Sequence, residues 1–438
     1  MAFFHTPRHK SPFSPSFMLR CKKFGKKLRS AFSALGPGIV TGAADDDPSG
    51  ITTFSQAGAM AGTMFLWTAW FATPLMIAIQ EMCARIGLVT GKGLTGVLKK
   101  HYPPLLLFFL AALVVTANTI NIGVDIAGMA AATHLVFPLP QWILAFGYAT
   151  FVILVIIFLP YHKFAQYMKW LTLVLLLYFL VPFSLHIDWL AAFKHTAIPT
   201  IVWTKDRAML LVALLGTTIS PYLFFWQASI EVENKRDKMK TILERWIVTK
   251  HELLRMRGDV TIGMIFSNIT MWFIILTTAV TLFSHGITNI TTAQEAAEAL
   301  RPIAGDFAYV LFMLGIVGTG LLAIPVLAGS SSYVLSEAFG WDTGLNKPFH
   351  KAAKFYIVMI VSTLLGVLMN AFHVDVIKAL VYTAVMYGVI SPPLIFVIMH
   401  IANNKKVMGK HTNSLASNVL GGITFVVMST ATILLFVL

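Results

Sequence analysis

The sequence is poor in charged residues, since Asp, Glu, Lys and Arg make up 12% of its 438 residues. An average soluble domain carries about 25% charged residues. Only two cysteines are present, Cys21 in a basic N-terminal tail and Cys83 in an apolar segment, which excludes a disulfide framework and a cysteine-based zinc motif. Hydrophobic residues reach 57% of the chain. This composition indicates a polytopic membrane protein.

Eleven apolar segments are long enough to cross a bilayer, which takes about 20 residues per helix. We number them spans 1 to 11, and their approximate limits are 32–61, 64–88, 104–132, 140–160, 167–187, 207–231, 259–285, 303–336, 353–372, 376–400 and 416–438. Two connections, 188–206 and 232–258, are longer than the others.

Positive charge is distributed unevenly between the two sides of these spans. If the N-terminal tail is cytoplasmic, 27 Lys and Arg fall on the cytoplasmic side and 5 on the outer side, with Arg85 inside span 2. This asymmetry satisfies the positive-inside rule, so the net charge of +14 reflects topology rather than nucleic-acid binding. We expect a bacterial inner-membrane protein with a cytoplasmic tail at 1–30, its N-terminus inside and its C-terminus outside. We also expect a monomer.

Two of the spans are interrupted. Residues 45–50, Asp-Asp-Asp-Pro-Ser-Gly, break span 1, and Ser220-Pro221 breaks span 6. A carboxylate at mid-bilayer costs roughly 2.5–3.5 kcal/mol, so three in a row indicate a cation site. Interrupted helices in corresponding positions of two halves are typical of transporters with an inverted repeat and a midplane site. Two independent proline kinks are the alternative, but they do not explain the carboxylates.

The two breaks, five spans apart, predict an all-α membrane fold. Two inverted five-helix repeats are expected at 31–187 and 207–400, followed by an eleventh transmembrane helix at 416–438. No cofactor is expected, because the metal ion would be cargo. The expected partners of the protein are the transported divalent metal ion and the lipid bilayer around it.

Four segments resemble the Nramp family of divalent-metal transporters. GPGIVTGAADDDPSGITT resembles the family's first span, where the motif is Asp-Pro-Gly-Asn, and GTTISPYLFF resembles its sixth, where the motif is Met-Pro-His. Residues 80–94 (QEMCARIGLVTGKGL) and 318–341 (GTGLLAIPVLAGSSSYVLSEAFGW) resemble its spans 2 and 8. The resemblance covers most of residues 31–438 in order. It implies a LeuT-like fold and alternating access.

The resemblance also implies a site that departs from the family pattern. Family members bind a transition metal through the Asp and Asn of span 1 and through a methionine sulfur and an alanine carbonyl of span 6. In this chain the Asp is Asp47, the Asn position is Gly50, the Met position is Ser220 and the carbonyl position is Thr217. The span 6 histidine is replaced by Tyr222.

Loss of the sulfur indicates a harder metal ion. Thioethers favour soft transition metals, whereas carboxylate, hydroxyl, carbonyl and water suit Mg²⁺ and Mn²⁺. Gly50 removes an amide ligand and is expected to open volume, and bound Mg²⁺ keeps several waters. We therefore expect a transporter most similar to the Nramp-related magnesium branch, which imports partly hydrated Mg²⁺ and also Mn²⁺. A Mn²⁺-preferring transporter in which Ser220 and Gly50 have drifted is the alternative.

The three acids of span 1 are not expected to act alike. Along a helix, Asp45, Asp46 and Asp47 point about 100° apart, so they cannot all contact the ion. We expect Asp47 to be the inner ligand. Asp46 or Asp45 would hold an outer-shell water or line the approach. The alternative is that one of them pairs with a Lys or Arg or accepts buried backbone hydrogen bonds.

Span 3 carries Asn118, Asn121 and Asp125 on one helical face. In coupled members of the resembled family, two acids seven residues apart on this span belong to the proton route. Asp125 matches the second and Asn118 replaces the first, while Tyr222 replaces a titratable histidine. Because two titratable groups are replaced, we expect proton coupling to be weak or absent. Asn118 and Asn121 could instead form interhelical hydrogen bonds. Gln227, six residues after Pro221, is expected to face the inner vestibule.

Three other functions compete with an uncoupled magnesium transporter. A proton-coupled Mn²⁺ or Fe²⁺ importer of the Nramp type is the main alternative. A membrane-embedded metalloenzyme would need intramembrane His or Cys ligands beside the acids, so no enzyme activity is expected. A carrier of organic anions such as amino acids is disfavoured because three carboxylates would repel the substrate.

Overall fold

A computed structural model describes residues 37–159, 177–185, 187–199, 204–239, 246–369 and 375–437. These residues form helices joined by short turns. In chain order the α-helices are α1 (Pro37–Asp45), α2 (Pro48–Ala61), α3 (Leu66–Thr90), α4 (Leu94–His101), α5 (Pro104–His134), α6 (Gln141–Phe158), α7 (Leu177–Ser184), α8 (Trp189–Ala197), α9 (Lys205–Thr218), α10 (Pro221–Lys238), α11 (Lys250–Thr281), α12 (Ala293–Glu298), α13 (Arg301–Ala304), α14 (Ala308–Phe339), α15 (Ala353–Met369), α16 (Val376–Asn403), α17 (Lys405–Met408) and α18 (Leu415–Val437).

Span 1 is broken where the sequence predicts. α1 ends at Asp45, and α2 begins at Pro48 with Asp47 as its N-cap. Proline at the first helical position suits a helix start, because its missing N–H would have no partner there. The Asp47 side chain accepts a hydrogen bond from the Gly50 amide, which satisfies one of the free donors of the α2 N-terminus.

Span 6 is broken in the same way. α9 ends at Thr218, and α10 begins at Pro221 with Ser220 at the N-cap position. The Ser220 side chain makes no capping hydrogen bond. Both interruptions are therefore confirmed, and they differ in how the second half-helix is capped.

The part of the chain with described coordinates contains eight helical segments long and apolar enough to cross a membrane. These are Pro48–Thr90, Pro104–His134, Gln141–Phe158, Lys205–Asp237, Lys250–His285, Arg301–Phe339, Val376–Asn403 and Leu415–Val437. A shorter apolar helix, Ala353–Leu368, corresponds to predicted span 9. Most of span 5 and the tail 1–30 lie outside the described residues. The division into repeats at 31–187 and 207–400 stays a prediction.

The two long connections contain more helix than the sequence suggested. α10 continues to Lys238 and α11 already begins at Lys250, so the predicted loop 232–258 is shorter than expected. The early start of α11 has a local cause, because Thr249 and Glu252 form a capping box. In the other connection, 188–206, Asp188 caps the short helix α8.

The broken span 1 lies at the centre of the helix bundle. α11 packs against both α1 and α2, α5 contacts α2, and α9 contacts α2 from the side of span 6. α14 packs along α5, and α10 packs against α3. The break in span 1 is thus surrounded by spans 3, 6 and 7.

Some of these helices approach so closely that only glycine fits at the crossing. A Cβ atom at Gly42 would overlap the carbonyl group of Gly263, and one at Gly123 would overlap the carbonyl group of Gly366. Small residues at membrane helix crossings let the backbones make close van der Waals contact. The first of these crossings fixes α1 against α11 next to the carboxylates.

We expect Gly42→Ala to destabilise the protein by about 1–3 kcal/mol, the usual cost of overpacking a filled contact. Thermal unfolding in detergent would measure the effect. Gly147→Ala is the matched control, because no described atom lies within 4 Å of a Cβ at that helical position. Equal melting temperatures for Gly42→Ala and the parent would contradict the α1–α11 crossing.

Candidate metal-ion site

The three consecutive carboxylates at the break of span 1 are all buried. Asp45, Asp46 and Asp47 are each at most 1% exposed. None of the ion pairs formed by the described residues includes any of them. Neutral groups therefore supply their hydrogen bonds, and the three side chains turn towards different helices.

Asp47 faces α2 and α5. Its Oδ1 accepts hydrogen bonds from the Gly50 amide at 2.6 Å and from the Ser49 hydroxyl at 2.8 Å. Its Oδ2 accepts from Asn121 Nδ2 at 2.9 Å. A carboxylate oxygen has about two lone-pair sites, so Oδ1 is saturated and Oδ2 retains one site for a ligand.

Asn121 and Asp125 of α5 complete the surroundings of Asp47. Asn121 Nδ2 lies 3.3 Å from Asp125 Oδ2, so the amide group faces two carboxylates at once. The other oxygens of this pair, Asn121 Oδ1 and Asp125 Oδ1, are buried and have no hydrogen-bond partner. Asn121 and Asp125, which the sequence places on one face of span 3, thus lie beside Asp47.

Asp45 and Asp46 turn to α11 instead. The Ser267 hydroxyl lies 2.7 Å from Asp45 Oδ2 and 3.1 Å from Asp46 Oδ1. One hydroxyl has a single hydrogen and can donate to only one of them at a time. Asp46 Oδ2 is buried without a partner. The sequence did not reveal Ser267, because an isolated serine in an apolar helix has no distinguishing pattern.

The predicted oxygens of span 6 lie against each other. The Ser220 hydroxyl contacts the Thr217 carbonyl oxygen, and it lies 3.4 Å from Asp45 Oδ1. Both residues are buried, at 1% and 2% exposure. Ser220 thus joins the span 6 break to Asp45 in this conformation.

The carbonyls freed by the helix breaks accept hydrogen bonds from hydroxyl groups of neighbouring helices. Tyr222 Oη donates to the Ala44 carbonyl at 2.8 Å and so connects the two breaks. Ser391 of α16 donates to the Ile219 carbonyl at 3.0 Å. Ser330 of α14 donates at 2.8 Å to the Tyr222 carbonyl, which lies in the first turn of α10 next to the break. Irregular backbone at membrane depth is tolerated where protein groups satisfy it in this way.

Gly50 does not leave the open space that the sequence suggested. A Cβ atom there would lie 3.0 Å from Thr217 Oγ1 and 3.2 Å from the Asp45 carbonyl oxygen. The volume vacated by a side-chain amide is occupied by the Thr217 hydroxyl and by the turn of the break itself. The expectation of a wider site at this position is therefore wrong for this conformation.

Two further predicted residues form interhelical hydrogen bonds. Asn118 accepts a bond from Tyr387 Oη at 3.0 Å and donates to Ser331 at 3.1 Å, which matches the interhelical alternative for this residue. Gln227 accepts from the Thr41 hydroxyl at 2.8 Å and donates to Glu231 at 3.1 Å. Gln227 is buried, and it joins α10 to α1.

The site is made of a few hard oxygens. In the described ranges, no group of three or more His, Cys, Asp or Glu side chains could hold a metal ion. Around Asp47 the available atoms are instead the carboxylate of Asp125 and the amide oxygen of Asn121. Carboxylate and amide oxygens suit Mg²⁺, Ca²⁺ and Mn²⁺, and so few protein ligands suit an ion that keeps part of its water shell.

Comparison with known proteins identifies the family. Residues 38–438 match the family model described as "Nramp: Natural resistance-associated macrophage protein-like". The chain belongs to the Nramp family. Two curated relatives of this Nramp protein are named divalent metal cation transporter MntH. The one from Caldanaerobacter subterraneus is 24% identical and the alignment covers 91% of each chain; the one from Yersinia pestis is 25% identical, with 90% of this chain and 92% of the relative covered.

Solved structures show the same fold. The Nramp chain is similar to the Eremococcus coleocola manganese transporter in complex with an aromatic bis-isothiourea substituted compound, with a TM-score of 0.70 and 16% identity. The match covers 98% of this chain and 88% of that one. The expected all-α, LeuT-like membrane fold is confirmed.

Proposed function

We propose that this Nramp protein imports divalent metal ions by alternating access, with partly hydrated Mg²⁺ as the preferred cargo, Mn²⁺ as a second cargo, and no proton coupling. The pair of unpartnered buried oxygens beside Asp47, Asn121 Oδ1 and Asp125 Oδ1, carries the proposal. Burying such oxygens without hydrogen-bond partners is unfavourable, and a cation coordinated by Asp47 Oδ2 that also reached them would supply the missing partners.

The relatives support a divalent cargo. The curated relatives are named divalent metal cation transporters, and the similar solved structure is a manganese transporter. These names favour transport over catalysis. The choice of Mg²⁺ rests on the chemistry of this chain, in which the span 6 position of the sulfur ligand is Ser220 and the free oxygens beside Asp47 are hard donors.

Alternating access requires that both ends of the path can close, and the structure has a closing contact at each end. On the side of α1 and α10, the Thr41–Gln227 hydrogen bond joins the two half-helices. On the opposite side, Gln56 of α2 accepts a bond from the Ile290 amide and donates to Asn289 Oδ1, both at 2.9 Å. Opening one pair at a time would expose the site to one side.

The membrane potential can drive this transport alone. A doubly charged cation that moves inwards down a potential of 100 mV, inside negative, gains about 4.6 kcal/mol at about 2.3 kcal/mol per charge. Tyr222 Oη is committed to the Ala44 carbonyl, and Asn118 is a neutral amide in the position of the first proton-route acid. These observations favour uncoupled uptake over the proton-coupled Mn²⁺ or Fe²⁺ transport that Asp125 would otherwise allow.

The proposed orientation follows the charge asymmetry. The tail, α10–α11 loop and α14–α15 loop would be cytoplasmic, and the Asn289–Ile290 loop would face outwards, in a bacterial inner membrane. A monomer with one metal path is the simplest assembly.

We expect Asp47→Ala to abolish Mg²⁺ and Mn²⁺ uptake into proteoliposomes, because it removes a carboxylate that joins the start of α2 to Asn121 of α5. Uptake would be followed with ion-sensitive dyes under an imposed inside-negative potential. Asp188→Ala is the control, since Asp188 also caps a helix but is exposed. Wild-type Mg²⁺ uptake by Asp47→Ala would show that the site is elsewhere. If Mg²⁺ neither enters nor competes with Mn²⁺, the proposal that Mg²⁺ is the preferred cargo is wrong.

Ser220→Met should raise the preference for Mn²⁺ over Mg²⁺, because a thioether favours softer metals. Adding Gly50→Asn should increase the shift only if Thr217 Oγ1 moves, since that hydroxyl lies only 3.0 Å from the position of the new Cβ. Competition between the two ions in the same uptake assay would measure the preference. An unchanged ratio in both variants would mean that these positions do not set selectivity.

Metal uptake should proceed without internal acidification. A pH dye inside the proteoliposomes, read together with metal influx, tests this directly. Asp125→Asn should then change metal affinity without changing proton flux. Acidification in step with Mn²⁺ uptake by the parent protein would instead establish the coupled alternative.

A further inference from the structure

A cavity of about 330 Å³ lies at the end of the bundle where the basic loops meet. It is bounded by residues 91–96, by the end of α10 and by the end of α14, and its polar lining includes Glu233, Arg236 and Glu337. None of the metal-site residues lines it. Two of the lining carboxylates connect helices that must part when this end opens.

Glu337 of α14 makes one of these connections. Its Oε2 accepts a hydrogen bond from the Gly96 amide of α4 at 2.8 Å, and its Oε1 accepts from the Ser229 hydroxyl of α10 at 3.0 Å. No ion pair of the described residues includes it. A single carboxylate thus holds three elements together through two neutral donors.

Gly93 shows how closely Glu337 is fitted. A Cβ atom at Gly93 would overlap both the Glu337 carboxylate and the Ser229 hydroxyl. Gly93 is also the N-cap of α4 and has no side chain to satisfy the free amides of that helix. The Glu337 carboxylate takes this capping role, which the positive end of the helix dipole favours.

Glu233 makes a second connection one turn further along α10. Its Oε1 accepts from Tyr333 Oη of α14 at 2.6 Å and from the Leu345 amide at 3.0 Å. α10 and α14 are therefore joined twice, in opposite senses: a carboxylate of α14 meets a hydroxyl of α10, and a carboxylate of α10 meets a hydroxyl of α14.

We propose that Glu337 and Glu233 are positioning residues of the transport cycle, which hold the inner half of span 6 against span 8 and α4 while this end of the path is closed. Ser229 lies two residues after Gln227, so the links act on the same stretch of α10 that closes against Thr41. Glu337 borders the cavity, so water can replace the Ser229 hydroxyl as its hydrogen-bond donor when α10 moves away.

This proposal rests on alternating access but not on the identity of the ion. Weakening a link should shift the resting equilibrium towards the state that is open at this end. Ser229→Ala and Tyr333→Phe each delete one neutral donor and leave both carboxylates in place. They are milder changes than removal of a buried acid.

The test measures thiol accessibility in the cavity. Val232 lies on α10 between the two links, lines the cavity and is 5% exposed. Val232→Cys, combined with Cys21→Ser and Cys83→Ser, provides a single reactive site. Its modification rate by a membrane-impermeant maleimide applied from this side needs no transported ion, so the outcome does not depend on whether Mg²⁺ is the cargo.

We expect Ser229→Ala and Tyr333→Phe each to raise the modification rate about threefold or more, as loss of one hydrogen bond shifts an opening equilibrium. Ser336→Ala is the matched control, because Ser336 precedes Glu337 and its buried hydroxyl has no partner. It should leave the rate unchanged. Rates equal to the parent's in both link variants, with unfolding temperatures retained, would overturn the proposal. Lower unfolding temperatures with unchanged rates would also overturn it and assign the links to fold stability alone.

Discussion

Burial of several carboxylates in a membrane protein without a buried counter-cation is the constraint on which this structure depends. Asp45, Asp46, Asp47 and Asp125 all lie in the interior, and each isolated charge at membrane depth is costly. The described ion pairs lie elsewhere in the fold. Among the described residues, the hydrogen bonds to these carboxyl groups come from amide and hydroxyl donors, which carry no charge of their own. An environment of this kind still attracts a mobile cation, whereas a lysine or arginine in the same place would have removed that attraction.

Hydroxyl donors also allow the helix breaks to exist. Each break exposes carbonyl groups that an intact helix would have used, and hydroxyl groups from spans 6 and 10 bond to two of them through Tyr222 and Ser391. Hydroxyl groups are well suited because they rotate and can exchange one acceptor for another. Ser267 already lies within reach of two carboxylates, and Ser220 lies near both Thr217 and Asp45. The hydrogen bonds in the interior can therefore switch between neighbouring acceptors while the helices stay intact.

The sequence predicted the features that leave a local pattern. Apolar runs, the Asp-Asp-Asp-Pro interruption and Ser220-Pro221 are visible in the chain, and the structure places both breaks there. The hydrogen-bond partners of the carboxylates leave no such pattern and could not be predicted. Ser267 and Ser391 are single hydroxyls in apolar helices, and which acid each meets is decided by helix packing. The space at Gly50 was misjudged for the same reason, since Thr217 reaches it from another span. Glu337 was also missed, because its donors belong to α4 and α10.

The contact of Gln56 with residues 289 and 290 has a consequence for which side chains position 56 can carry. Gln56 uses its carbonyl oxygen for the Ile290 amide and its amino group for Asn289, so both ends of one side-chain amide serve a single loop. Glutamate would lose the donor, methionine and leucine would lose both contacts, and asparagine is one methylene too short. Glutamine is therefore the residue that fits position 56 as long as the loop at 289–290 keeps its conformation. A relative with another residue there must have rebuilt the loop around it, so the two segments are expected to change together.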